Sequence, residues 1–255
     1  MPQRRPPAIM YRMQGRGLLI FSALQMEADA IAGELGLKFD RSRSVAIGLL
    51  GGATPVKLYV IGIRAVSMAP AIPSVVDGAR PAGVILAGLA GALDPSLQLG
   101  DVIVDGLAMA SGAGLPPPIR RGRIHTADSV VASASAKAAL FKQTGALAVD
   151  MESAPVRGLI SSSGVPLIIV RAISDTADQS IDPTVLQLVD TAGRPNTSAI
   201  IKRLIRDPVT LPRLLTLRSQ SRLAIRSLAR QLAWLLTSQP IGPLFEATAQ
   251  FPSVD

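Results

Sequence analysis

The chain has 255 residues and a net charge of +8, and its 48% hydrophobic and 17% charged residues make it too apolar for a disordered protein and long enough for one large domain. It contains no cysteine and one histidine, which excludes disulfides, thiolate chemistry and metal centres built on cysteine or on several histidines. A metal held by carboxylates alone would need a suitably spaced Asp/Glu cluster, and none is apparent, so we expect no metal and no cofactor.

The first half of the chain alternates between predicted strands and helices. Short apolar runs predict buried strands, and apolar residues at helical spacing followed by glycine predict helices with a glycine C-cap. In chain order the segments are a strand at 18–21, a helix at 26–35 ending at Gly36, a strand at 56–61, a helix at 65–76 containing two prolines, and a strand at 84–87 that opens into the glycine-rich segment 88–91.

The second half continues this alternation. The segments are a strand at 102–104, a Gly- and Pro-rich loop at 106–122, a helix at 135–144 ending at Gly145, a strand at 147–149, a helix reaching Gly164 and a strand at 166–172. His125 lies in a polar stretch and is interpreted as a loop or surface residue. The alternation predicts an α/β fold in a single domain, with a central, mostly parallel mixed sheet flanked by helices.

Basic residues dominate the chain after Gly193. Arg218, Arg222, Arg226 and Arg230 recur every fourth residue on one side of a predicted helix, and leucines line another side. The predicted divisions are a flexible lead-in at 1–15, the main domain at 16–200, a basic amphipathic helical extension at 201–237 and an irregular tail at 238–255. Such a helix can bind anionic lipid through 208–236, or it can pack on the core with its arginines in solvent.

Polar residues follow several of the predicted strands. Glu27 comes after the first strand, 88–91 after the third, and Glu152 and Asp175 after later ones. Ligands bind at the carboxyl ends of strands in open parallel sheets. We therefore expect these residues to share one site.

Three ordered motifs carry a family resemblance. They are GLAGAL at 88–93 followed by LGDVIV at 99–104, VDMESA at 149–154 and VRAISDTAD at 170–178. They resemble the methylthioadenosine/S-adenosylhomocysteine nucleosidases, members of the nucleosidase and nucleoside phosphorylase superfamily, over residues 17–180. The resemblance implies a nucleoside phosphorylase-like fold and cleavage of the N-glycosidic bond of a purine nucleoside.

The resemblance also implies roles for the acids. Asp175 matches the general acid that protonates N7 of the purine. Glu152 matches the carboxylate that binds the ribose hydroxyls, and Met151 matches a residue that packs on the sugar or base. Glu27 matches the glutamate that positions the attacking water. The same motifs add Ala90, Gly91 and Ser174 to the expected substrate-binding set. Structural roles remain open for each acid: Asp175 as a helix N-cap, Glu152 as a first-turn carboxylate, Glu27 as a solvated helix residue.

The chain also departs from the family pattern. Leu89 stands where a Ser or Thr hydroxyl is usual, and Gly62-Ile63-Arg64 stands where a Gly-x-Gly turn is common. Gly62 and Arg64 are candidates for binding phosphate as a co-substrate, although Arg64 is equally a candidate surface charge. No Gly-Asp-x-x-Arg phosphate motif follows the first strand, and Glu27 favours water as the nucleophile.

A narrower resemblance concerns the substrate. The segments 137–141 and 144–153, with 91–95, are similar to the hopanoid-associated phosphorylases, which implies release of adenine from adenosylhopane, a lipid nucleoside. Relatives imply a homodimer or larger homo-oligomer. No apolar run is long enough to span a bilayer, so we expect a cytoplasmic protein that can associate peripherally with the inner membrane surface.

Other functions stay open. One is a general methylthioadenosine/S-adenosylhomocysteine-type nucleosidase, and another is a non-catalytic nucleoside-binding protein, which Leu89 keeps open. A nucleic-acid-binding protein would explain the charge of +8, but the basic region lacks interleaved aromatic residues for base stacking, so we expect no nucleic acid partner.

Overall fold

The computed structural model describes residues 16–40, 42, 44–65, 68–107, 115–181, 210–238 and 244–245. The predicted lead-in at 1–15, the segment 182–209 that joins the main domain to the extension, and most of the predicted tail at 238–255 lie outside these residues.

The described residues form five helices and ten strands. The helices are α1 (Gln25–Leu35), α2 (Ile72–Ala79), α3 (Ala134–Thr144), α4 (Ser153–Ile160) and α5 (Thr210–Ser238), with short 3-10 turns at Ile63–Ala65 and Ser161–Ser163. The strands are β1 (Leu18–Ser22), β2 (Lys38–Asp40), β3 (Val45–Leu50), β4 (Thr54–Val60), β5 (Gly83–Ala92), β6 (Val102–Asp105), β7 (Ile119–Arg121), β8 (Ile124–Thr126), β9 (Ala148–Asp150) and β10 (Leu167–Asp175).

All ten strands join one mixed sheet. Its order is β2-β3-β4-β1-β5-β10-β6-β7, while β9 pairs with the end of β5 and with β8. The central strands β4, β1, β5 and β10 run parallel, and every residue of β1 is buried. Parallel strands covered on both faces need such continuous apolar runs. The predicted α/β domain with a mostly parallel mixed sheet flanked by helices is therefore confirmed.

Alternate residues of the central strands face two separate cores. Leu18 and Ile20 of β1 belong to a cluster that includes Ile31 of α1 and Leu228 of α5. Leu19 and Phe21 face the opposite way, into a cluster with residues of α2 and α4. The period of two along each strand thus divides the helices into two covering layers.

Helix α5 is part of the outer layer of this domain. Leu228, Leu232 and Leu235 are buried in the same cluster as the central strands. Arg222 and Arg226, like the other two arginines of the repeat, are exposed. The segment predicted as a basic extension therefore covers the sheet with its apolar side and presents its arginines to solvent.

Some predicted elements were wrong. The helix predicted at 65–76 begins only at Ile72, since Pro73 occupies its first turn, where a missing N–H costs no helical hydrogen bond. The strand predicted at 84–87 is longer than expected, because β5 continues through the glycine-rich segment 88–91 to Ala92. His125 lies in β8 instead of a loop, and β7 lies within the predicted loop at 106–122.

Candidate active site

The predicted acids lie together at the edge of the sheet where the central parallel strands end. Glu27 lies in the first turn after β1, Asp175 ends β10, and the last residues of β5 lie between them because β5 pairs with both strands. Glu152 follows β9, which pairs antiparallel with Gly91 and Ala92 at the end of β5. The expected convergence is therefore observed, and β5 is its centre.

Glu27 is a buried carboxylate, only 2% exposed, held by three donors. The Ser22 hydroxyl donates to Oε2 at 2.8 Å and the Leu24 N–H donates to the same oxygen at 2.9 Å. The Leu89 N–H of β5 donates to Oε1 at 3.1 Å. The interpretation of Glu27 as a solvated helix residue is wrong.

Burial also changes how readily Glu27 ionises. Removal from water raises its pKa, although the hydrogen bonds from Leu24 and Ser22 and the charge of Arg171 act in the opposite direction. A carboxylate whose pKa is moved up toward neutrality is suited to act as a general base.

The buried Arg171 of β10 links the acids, and no role for it was predicted from the sequence. Its Nε and Nη2 reach Asp150 Oδ2 at 2.8 and 2.6 Å, and Nη2 also reaches Glu152 Oε2 at 3.4 Å. The third nitrogen, Nη1, is buried without a hydrogen-bond partner. It lies against Gly88, where a Cβ would be 2.2 Å from Nη1 and 3.3 Å from Glu27 Oε1. Arg171 thus presents an unsatisfied donor next to Glu27.

Glu152 is held from two sides. Its Oε1 accepts the Arg64 N–H at 3.2 Å, and its Oε2 faces Arg171. The residue stands at the N-cap of α4, yet its side chain makes no capping hydrogen bond. A purely local helix role therefore does not explain its position. Met151 beside it is half-buried.

Asp150 supports this arrangement and was also not predicted as a site residue. Its carboxylate accepts hydrogen bonds from Thr126 Oγ1 at 3.1 Å and from the Ser153 hydroxyl, in addition to Arg171. Asp150 thus holds the guanidinium group of Arg171 in place.

Asp175 sits on an irregular strand end. The pairing of β10 with β5 shifts register between Ile173 and Asp175, and such a bulge re-aims a side chain. The Ser174 hydroxyl donates to Asp175 Oδ1 at 2.9 Å and lies 3.3 Å from the Ala90 carbonyl, while a Cβ on Gly91 would be 2.9 Å from Oδ2. No helix begins at 176–181, the described residues that follow, so the helix N-cap interpretation is wrong.

Gly62 and Arg64 form the turn after β4. Gly62 and Arg64 both have positive φ, 78° and 56°. The Arg64 side chain is exposed and donates to the Asp128 carbonyl at 3.1 Å, while its N–H binds Glu152. Arg64 is thus joined to the site through its backbone, and binding of phosphate by Gly62 and Arg64 stays a prediction.

The described residues lack two features. They contain no group of three or more His, Asp or Glu side chains placed to hold a metal ion. None of their helices is long and apolar enough to cross a membrane.

Comparison with known proteins agrees with the fold and the motifs. The sequence model of the phosphorylase superfamily matches residues 105–206. The chain is 26% identical over 227 residues to a 5'-methylthioadenosine/S-adenosylhomocysteine nucleosidase of Exiguobacterium sp., covering 72% of this chain and 97% of that one. It is 27% identical over 193 residues to the nucleosidase of the same name from Bacillus cereus, covering 62% and 83%.

Solved structures share the architecture. The Streptococcus pneumoniae enzyme of that name, bound to a transition-state inhibitor, superposes with a TM-score of 0.62 and 19% identity, covering 88% of this chain and 100% of the other. Futalosine hydrolase of Helicobacter pylori superposes with a TM-score of 0.59 and 18% identity, covering 88% and 98%. Together with the superfamily match over residues 105–206 and the relatives above, these structures show that the chain is similar to the nucleosidase and nucleoside phosphorylase superfamily in sequence and in fold.

Proposed function

We propose that this chain cleaves the N-glycosidic bond of a purine nucleoside. The observation that carries the proposal is the grouping of Glu27, Glu152 and Asp175 around the end of β5, all buried and distant in sequence. Such bond cleavage needs a proton for the departing base, stabilisation of a sugar with oxocarbenium character, and a positioned nucleophile. Three separated carboxyl groups can supply these three functions.

The geometry divides the roles along β5. Glu27 contacts β5 at Gly88 and Leu89, and Asp175 contacts it at Gly91. Gly88 and Gly91 are about 10 Å apart at the rise of an extended strand. In the proposed complex the base lies at the Asp175 end and the sugar carbon at the Glu27 end. Glu152, held by Arg171, binds the ribose hydroxyls.

Water is the proposed nucleophile. Glu27 Oε1 and the unpaired Arg171 Nη1 both lie against Gly88, so one can accept and the other donate a hydrogen bond to a single small molecule there. A carboxylate next to that position disfavours the multiply charged phosphate ion. Cleavage is therefore expected to proceed without phosphate as co-substrate.

The proposed substrate is adenosylhopane, supported by the resemblance of 137–141, 144–153 and 91–95 to the hopanoid-associated phosphorylases. The exposed side of α5 is consistent with a lipid substrate. Its arginines share a groove of about 730 Å³ with Leu215 and Leu223, which are 55% and 49% exposed. Positive charge beside exposed leucines is the chemistry that binds an anionic bilayer surface. The relatives' names support methylthioadenosine as the alternative substrate.

The proposed reaction is tested by measuring adenine release from adenosylhopane and from methylthioadenosine, with and without phosphate, and by mass spectrometry of the sugar product. We expect free ribosyl product in both buffers and faster turnover of the lipid nucleoside. Asp175→Asn should lower release at least about 100-fold, the usual contribution of a general acid. Asp178→Asn, an exposed carboxylate three residues away, is the matched control. If the protein releases adenine from neither nucleoside, the proposal is wrong.

The proposed membrane contact is tested with charge reversals, because removing α5 would expose the core. Arg222→Glu combined with Arg226→Glu should weaken co-sedimentation with phosphatidylglycerol vesicles, at about 1 kcal/mol for each basic residue lost. Arg80→Glu combined with Lys142→Glu changes net charge equally at exposed positions outside α5. Equal binding by the two double variants would contradict docking through α5.

A further inference from the structure

Lys137 is the most deeply buried cation that the proposed reaction does not yet use. It is 0% exposed and is the one buried residue of α3, whose other side chains are exposed or half-buried. Lysine is almost never fully buried unless it is paired. Its burial in an otherwise solvent-facing helix therefore calls for a specific role for its ammonium group.

The ammonium group has three acceptors for its three protons. Nζ lies 2.5 Å from Asp175 Oδ2, 2.8 Å from the Thr176 carbonyl and 3.0 Å from the Gln179 carbonyl. A neutral amine has only two protons and would leave one buried acceptor unsatisfied. The three acceptors thus match the three protons of the ammonium form of Lys137, and the nearest of them is Asp175 Oδ2.

The pairing with Lys137 bears on whether Asp175, at the end of β10, can itself donate a proton. An ionised Asp175 carries no proton to give to the purine, although its carboxylate is the group closest to Gly91 and the proposed base position. The proton available at this end of the site is on Lys137. Nζ donates a hydrogen bond to Oδ2 at 2.5 Å.

We propose that Lys137 is the proton reservoir for the departing purine and acts through Asp175, an inference that rests on the proposed nucleosidase function. As the bond between the sugar and N9 breaks, its electron pair moves into the purine ring. Nζ passes a proton to Asp175 Oδ2, and N7 of the purine takes the proton from that oxygen. The products are neutral adenine, an amine at Lys137 and an unchanged carboxylate, and the proton released by the attacking water restores the ammonium group.

The charged groups near this pair are few among the described residues. Asp178 on the following turn is exposed, and its pKa is lowered mainly by the Thr176 hydroxyl and in small part by Lys137. Asp178 is therefore already ionised throughout the neutral range and does not exchange protons with the pair there.

The test compares two leaving groups in the full-length protein. Adenine needs a proton to depart, whereas p-nitrophenolate, released from p-nitrophenyl riboside, is a stable anion that does not. Lys137→Met should lower adenine release at pH 8 about 100-fold, within the range for lost acid catalysis, and change p-nitrophenolate release less than 3-fold. Lys142→Met, at an exposed position of the same helix, is the control.

Two further results complete the test. In Lys137→Met, adenine release should recover as the pH falls, because a lone carboxyl group keeps its proton only in acid. Lys137→Arg keeps the positive charge but yields its proton far less readily, so it should restore stability and not adenine release. Equal loss with both leaving groups, or full activity in Lys137→Arg, would overturn the role of Lys137. Failure of the unaltered protein to cleave either substrate would instead refute the proposed function.

Discussion

The contact between Gly88 and Arg171 offers a sharp test of the site geometry. In Gly88→Ala the new Cβ would lie 2.2 Å from Arg171 Nη1 and 3.4 Å from Cζ, so the guanidinium group has to move. It cannot move freely, since Asp150 holds its Nε at 2.8 Å and its Nη2 at 2.6 Å. The added methyl group therefore strains or breaks a buried ion pair.

The size of the effect follows from these contacts. Overpacking a core costs about 1–3 kcal/mol, and breaking a buried ion pair costs about 3–5 kcal/mol. We expect Gly88→Ala to lower the free energy of unfolding by about 3 kcal/mol in urea titrations. Because Glu27 Oε1 is only 3.3 Å from the same Cβ, adenine release should fall by more than the folded fraction does.

The matched control is Gly33→Ala in α1. No heavy atom lies within 4 Å of its Cβ position, and alanine in a helix is about 0.5–1 kcal/mol more favourable than glycine. Gly33→Ala should thus stabilise the protein and leave adenine release unchanged. If Gly88→Ala unfolds at the same urea concentration as the parent and retains its activity, Arg171 does not occupy the position described above.

Two further predictions concern Glu27 and α5. Burial raises the pKa of Glu27 above its ordinary value of 4.5, so the folded chain binds a proton more tightly than the unfolded chain. The free energy of unfolding should therefore fall as the pH rises from about 4.5 through the raised pKa of Glu27. Urea titrations from pH 4 to 8 should show this fall in the parent and not in Glu27→Gln. The same pH dependence of the free energy of unfolding in both proteins would refute the prediction. Leu228→Ala should lower the free energy of unfolding by about 2–5 kcal/mol and Leu223→Ala by less than about 0.5 kcal/mol, since these leucines are 0% and 49% exposed. Similar urea midpoints for the two variants would show that α5 does not pack as described.

Local patterns predicted the elements that depend on local causes. The helices ending at Gly36 and Gly145 are confirmed because a left-handed glycine cap is a property of a few adjacent residues. The hairpin of β2 and β3 was not predicted, since β2 has only three residues and Gly48 interrupts the apolar run of β3. The predicted strand ends at 87 because the glycines of segment 88–91 are typical of loops. In the structure Gly88 and Gly91 are strand positions whose missing side chains leave room for Arg171 and Asp175.

The amino-acid sequence by itself determines where most of the central strands lie along the chain and which acids follow them. This is because hydrophobic runs and the polar residues at their ends are local features. The sequence alone therefore predicts that Glu27, Glu152 and Asp175 lie at one edge of the sheet. The partners of those acids were decided only by the tertiary structure. Arg171 lies in an apolar strand and Lys137 lies in a surface helix, and each acquires its role from a carboxylate 21 or 38 residues away. Burial turns such distant pairs into strong interactions, and no pattern of neighbouring residues records which pairs the fold will bury.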